Sequence, residues 1–174
     1  GMQKAAGTSV FCGRICTELV KAGQVVTIAC YKPTADDRYA VDSRVKWIAF
    51  EDVFKDAANS DIVHIHALWS PVLHRVAKWA RQNKIPVVWS PHGMLQKWEL
   101  KNKWWKKLPG LLAYQWWDLH SAVLLHATAQ SEVEDIRRLG LNNKVVGAPL
   151  GVDLPQLNNQ ILNQSSNTKI LLFV

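Results

Sequence analysis

Three short stretches of the 174-residue chain place ligand-seeking groups where a backbone can aim them. Ser90-Pro91-His92-Gly93-Met94 follows a β-branched apolar run. Pro91 forces Ser90 to be extended, and Gly93 permits a tight turn, so the His92 imidazole is left at a strand end, aimed at a ligand. A packed structural histidine is the alternative. His64 and His66 stand two apart on a second such run and therefore share a face. Such a pair suits metal ligation, but a zinc site needs further ligands. No HExxH motif or carboxylate cluster supplies them, so no metal is expected. The plainer reading packs one of these histidines among helices and puts His66 at the strand tip, facing the crevice. Gly7 and Thr8 open a helical pattern, where glycine and the helix dipole can offer N–H groups to a phosphate. The same pair also reads as a simple N-cap.

A fourth stretch is basic and aromatic. From Lys97 to Lys107 there are five lysines and one glutamate, interleaved with Trp98, Trp104 and Trp105. On one helix Trp98, Trp105 and Leu108 fall near one stripe with Lys103, Lys106 and Lys107 beside it, as in helices that lie on anionic membranes. Trp116 and Trp117 on the next helix fit either this surface or the packed reading that competes with it. The competing reading packs the tryptophans on a sheet and solvates the lysines. A grip on single-stranded nucleic acid uses similar residues, but no nucleic-acid module accompanies them, so no nucleic-acid partner is expected.

The elements that must position these groups alternate in period. With 48% hydrophobic and 20% charged residues, the chain has the composition of a globular domain with a real core. Strands are expected near 25–30, 45–48, 61–66, 86–90, 122–126, 144–146 and 169–174. Helices are expected near 8–21, 51–57, 70–82, 96–108, 111–119 and 131–139. Alternation of this kind predicts an α/β fold with an open, mostly parallel, doubly wound sheet. In such sheets ligands sit beyond the carboxyl ends of the strands. Ser131 with Glu134 reads as a capping box, Gly140 as a C-terminal cap, and Pro109-Gly110 as a break between helices.

At the front, the chain opens almost directly in a loop and helix, so the sheet is expected to lack its first strand and to expose an edge that invites dimer formation. The predicted division is a Rossmann-like domain over 1–150, a linker over 151–168, Asn/Gln/Ser-rich from Leu157 to Asn167, and a first strand of a second domain over 169–174. The longest uncharged apolar runs fall well short of the roughly 20 residues needed to cross a bilayer. The start resembles no signal peptide, and Gly1-Met2 reads as a cloning remnant, so a cytoplasmic location is expected, peripheral on the inner membrane face if the aromatic helix binds lipid. Cys12, Cys16 and Cys30 are odd in number and lack CxxC spacing, which argues for reduced, buried thiols. The net charge of +7 suits an anionic partner.

Taken in order, several of these stretches resemble the N-terminal domain of family-four glycosyltransferases. They are Asp61 to His66, Ser90 to Leu95, Trp98-Glu99-Leu100, Lys106-Lys107, Leu125-His126-Ala127-Thr128 with Glu132, and Pro149 to Asp153. The resemblance implies one half of a GT-B enzyme, which retains anomeric configuration as it moves a sugar from a nucleotide diphosphate. It implies that Gly7, Thr8 and Gly93 face the donor phosphate and sugar. It also implies that His92 is catalytic and that His66, Met94 and Lys107 lie on the acceptor side. No cofactor is implied; the partners are a nucleotide sugar and a saccharide or lipid-linked saccharide acceptor, in cell-surface polysaccharide or glycolipid synthesis. The family's donor contacts lie largely in a second, C-terminal domain, so these residues alone are expected to be inactive. At two positions the pattern differs: Ala6-Gly7 replaces the usual glycine pair, and Leu150 stands where asparagine commonly precedes the hinge glycine. The alternative is a non-catalytic module that binds a saccharide, a membrane or a protein.

Overall fold

A computed structural model describes residues 7–30, 41–149 and 151. Helix α1 (Gly7–Lys21) leads to strand β1 (Thr27–Cys30), and β2 (Lys46–Ala49) is followed by a 3₁₀ turn (Phe50–Asp52) and a short α2 (Val53–Asp56). Then come β3 (Val63–His66), α3 (Pro71–Gln82), β4 (Val87–Ser90), α4 (Lys97–Lys101) and α5 (Trp104–Gly110). A π-turn (Leu111–Gln115), α6 (Trp116–Ser121), β5 (Leu124–Ala127), α7 (Gln130–Arg138) and β6 (Val145–Gly147) complete the order.

Every paired strand is parallel to its neighbour. β1 pairs with β2, and a separate sheet runs β3-β4-β5-β6. The strands are short and helices cover them, so the centre of the sheet buries apolar side chains such as Ile65, Val87, Trp89 and Leu125. Ile48 of the first sheet joins Ile65, Trp89 and Leu125 of the second in one core with Ala77, Ala80, Leu119 and Ile136. The Val63 N–H donates to the Pro86 carbonyl and the Ala67 N–H to the Ser90 carbonyl. The alternate residues of β3, His64 and His66, therefore turn their backbone groups to the other edge. No strand among the described residues pairs with that edge. The expectation of a missing first strand concerns residues ahead of Gly7, which lie outside the described residues. The predicted linker over 151–168 and strand over 169–174 lie outside the described residues, save Gly151.

Helix α3 shows how local sequence sets the supporting frame. Pro71 sits in its first turn, where a missing N–H costs nothing, and Val76, Ala77 and Ala80 recur on its buried face. On the flank of that face His74 and Arg81 reach the fully buried Asp118 of α6, at 2.9 and 2.8 Å. This ties the two helices together across the sheet's flank.

Three expected boundaries are corrected. The single helix over 96–108 is two: the chain breaks at Asn102-Lys103, where Lys103 takes φ 52° ahead of α5. Pro109-Gly110 does not separate helices. Pro109 lies inside α5, and the backbone runs on through the π-turn into α6, the wider π spacing absorbing the proline and glycine. The capping box at Ser131 and Glu134 is absent. Helix α7 starts earlier with Ala129 at its N-cap, and Glu132 takes the Thr128 N–H instead. Gly140 behaves as expected, with φ 76° and its N–H on the Arg137 carbonyl.

Candidate functional site

Parallel register brings the strand ends into one row. His66 is opposite Ser90, and Trp89 is opposite Leu125, so Ser90 neighbours His126 at the carboxyl end of the sheet. Matched positions on adjacent strands point to the same face. The Ser90 hydroxyl lies 2.7 Å from His64 Nε2 and 2.8 Å from His126 Nδ1. His126 Nε2 lies 3.0 Å from the Ala148 carbonyl oxygen. A carbonyl only accepts, so the His126 proton belongs on Nε2. Nδ1 then accepts from the Ser90 hydroxyl, and Ser90 Oγ accepts from His64 Nε2–H. The carbonyl at one end thus sets the direction of the whole chain of bonds.

His92 joins this row from the following turn. His66 Nδ1 and His92 Nε2 are 2.9 Å apart, and their rings stack at 5.2 Å. One N–H bridges the pair, whichever ring carries it, which leaves His92 Nδ1 for a ligand. Phe11 of α1 closes over the cluster, edge-on to His66 and His92 and stacked on His126. Burial, then repulsion from His64, His92 and His126, pushes His66 down to about 3. Burial also lowers His64, to about 4, with help from His126 and His92. His64 stands exposed on the open edge of β3, where water offsets burial, so His66 is the group whose neutrality matters most. His92 is lowered by burial and by His126, against an upward pull from Glu132. At neutral pH His64, His66 and His92 are uncharged imidazoles, suited to exchanging single hydrogen bonds with a hydroxyl. No group of three or more metal-ligating side chains occurs among the described residues.

An open cleft of about 510 Å³ adjoins His92, lined also by Gly93, Met94, Gln96, Trp98, Glu99 and Thr128. Met94 is anchored through its sulfur, which accepts the Leu68 N–H at 3.3 Å. Lys107 is held on Glu99, bonding its carboxylate at 2.6 Å and its backbone oxygen, so its charge is already paired at the cleft wall. Gly7 and Thr8 form the first turn of α1. Gly93 takes φ 74°, and its N–H is given to Glu132.

Beyond the cleft, α4 to α6 carry a broad apolar surface. Trp98 is 65% exposed and Leu112 74%. Trp104, Trp105, Leu108, Trp116 and Trp117 are exposed as well, as are Lys101, Lys103 and Lys106. The stripe of Trp98, Trp105 and Leu108 expected on one helix is distributed over two, α4 and α5, yet it faces solvent and does not pack on the sheet.

Sequence reasoning assigned no role to Ser90, His126, Glu132 or Phe11. The signal for Ser90 and His126 was their place at matched strand ends, usable only once register is known. Glu132 stands among the residues that carry the resemblance, with no role attached to it, and nothing local marks Phe11.

A split, parallel, helix-covered sheet with its polar residues gathered at the carboxyl strand ends defines a Rossmann-like α/β domain with a ligand crevice. Residues 5–156 match the model of Glycosyltransferase Family 4. The chain belongs to that family and contains the N-terminal module of a glycosyltransferase, one Rossmann-like half of a GT-B fold. Neither the curated proteins nor the solved structures returned a match.

Proposed function

We propose that these residues form the acceptor-side half of a retaining glycosyltransferase that works at an anionic membrane surface, taking a nucleotide diphosphate sugar and a lipid-linked saccharide. The observation that carries this reading is Trp98. It lines the cleft beside His92 and also belongs to the exposed tryptophan and lysine surface of α4 to α6. An acceptor head in the cleft would therefore have its tail beside a surface whose composition suits the lipid boundary.

His92 contacts the acceptor hydroxyl through Nδ1, held in place by His66. An uncharged ring can take the hydroxyl's hydrogen bond as an acceptor or return one as a donor, according to the tautomer of the pair. Glu99 and Lys107 form a neutral pair at the wall, so the cleft favours a saccharide over a bare anion. Donor contacts belong to a second domain, with Gly7 and Thr8 facing it.

Sedimentation with vesicles containing anionic phospholipid tests the membrane part. The chain should bind them, and neutral vesicles should bind less. Each lysine near such a surface contributes about 1 kcal/mol, so Lys106→Glu, a change of two charges, should weaken binding about 30-fold. Trp105→Ala should weaken it too. Unchanged binding by both variants would reject the membrane assignment. Calorimetry with nucleotide diphosphate sugars should give no measurable heat; micromolar affinity would reject the division of labour.

A further inference from the structure

The turn that carries His92 is held in an unusual conformation. His92 and Gly93 sit side by side at positive φ, 53° and 74°. Glycine adopts this region freely, but histidine does so rarely, and such backbone persists only where its surroundings over-determine it. The chief restraint comes from 39 residues away. Glu132 Oε1 accepts the Gly93 N–H at 2.7 Å. Its other oxygen accepts the Thr128 N–H and hydroxyl at 2.7 and 2.9 Å. Glu132 is only 2% exposed, and a carboxylate that dry is tolerated when charge-assisted bonds satisfy both oxygens. The Thr128 bonds are local, within the turn that enters α7. The bond to Gly93 is additional and spans from helix to active turn.

We propose that Glu132 is the positioning residue of the site: its buried carboxylate, fixed at the start of α7, pins the Gly93 amide and so sets the left-handed turn that presents His92 to the acceptor. The assignment rests on the acceptor-side role proposed above for His92. Two consequences follow from the geometry. The Gly93 amide is committed to Glu132, so a donor phosphate is left to other groups, and Gly93 serves the turn by its conformation. In addition, the groups packed around His92 are His66 from β3, His126 from β5, Phe11 from α1 and Glu132 from α7. Glu132 supplies the negative charge in that set, which favours the protonated form of His92 where burial and His126 oppose it.

Nuclear magnetic resonance on the 174-residue chain tests the assignment through two readouts. In the wild type, the Gly93 amide should exchange with solvent at least about 100-fold more slowly than a free amide, as a bonded amide does. In Glu132→Gln, which keeps the size but removes the charge, the titration midpoint of the His92 ring should fall. Glu134→Gln, two residues along α7 and exposed, should leave it unchanged. Exchange of Gly93 at the free-amide rate would overturn the proposal, and so would an unmoved His92 midpoint in folded Glu132→Gln, even with Gly93 protected. Should Glu132→Gln fail to fold, wild-type exchange still decides, joined by Thr128→Val. That variant keeps the Glu132 charge and its Gly93 bond, so a His92 midpoint displaced there would count against the assignment. Vesicle binding is independent of both readouts, so failure of the membrane reading and failure of this one are told apart.

Discussion

His66 and His92 share one proton across 2.9 Å while their rings stack, so each orients the other. The bond needs one ring to accept, and protonating both would place two like charges in contact. Burial holds His66 down to about 3, well below the usual histidine value near 6.5. The unfolded chain therefore takes up a proton that the folded chain refuses as pH falls from about 6.5 toward 3. Stability should be at its plateau above pH 7 and decline through that window, by at most about 1.4 kcal/mol per pH unit for this group. Urea denaturation at pH 7.5, 6 and 5 measures it, and His66→Gln should flatten the slope. An equal slope in the variant would assign the effect elsewhere.

Asp118 is fully buried and bonds both His74 and Arg81. Asp118→Ala strands two partners of α3 that are themselves partly exposed, so the expected loss is about 2–3 kcal/mol, the usual cost of losing charged hydrogen bonds. Chemical denaturation should show a lower midpoint with an unchanged slope.

Cys12 and Cys16 lie one helical turn apart on α1. Burial pushes their thiols up, to about 12 for Cys12, where Cys16 adds repulsion, and to about 11 for Cys16. Little thiolate is present at pH 8. Alkylation of either by iodoacetamide should be far slower in the folded chain than in denaturant, read by mass spectrometry.

Lys103 holds φ 52° between α4 and α5. Glycine adopts that conformation without the penalty a side chain incurs, so Lys103→Gly should gain about 0.5–1 kcal/mol of stability. The same change removes a lysine from the basic surface, so binding to anionic vesicles should weaken about fivefold. The two effects have opposite sign in one variant, and thermal unfolding with sedimentation resolves both.

The strands were legible because short β-branched runs bounded by turn residues say the same thing at every level, as 61–66 and 86–90 do. Helix α3 was legible for the same reason, from Pro71 to its apolar face. The 96–108 segment misled because its lysines and tryptophans fit a continuous helix, while the break at Lys103 depends on a backbone angle that composition does not encode. Pro109 misled in the opposite direction, since the π-turn that absorbs it is built from ordinary residues. Within the site, His66 and His92 were found from strand-end position alone. Their mutual bond and the Ser90–His126 row needed the register between strands, and the Glu132–Gly93 bond needed the packing of α7 against the sheet end.

The bond from His126 to the Ala148 carbonyl, with the Ala148 N–H on Ala127, fastens the imidazole row to the stretch of backbone that leads out of the sheet. It behaves as a tether with no slack. Through it the exit strap is joined in series to His126, Ser90 and His64. If an occupant of the row favours this arrangement of bonds, reciprocity requires that holding the strap favours the occupant by the same free energy.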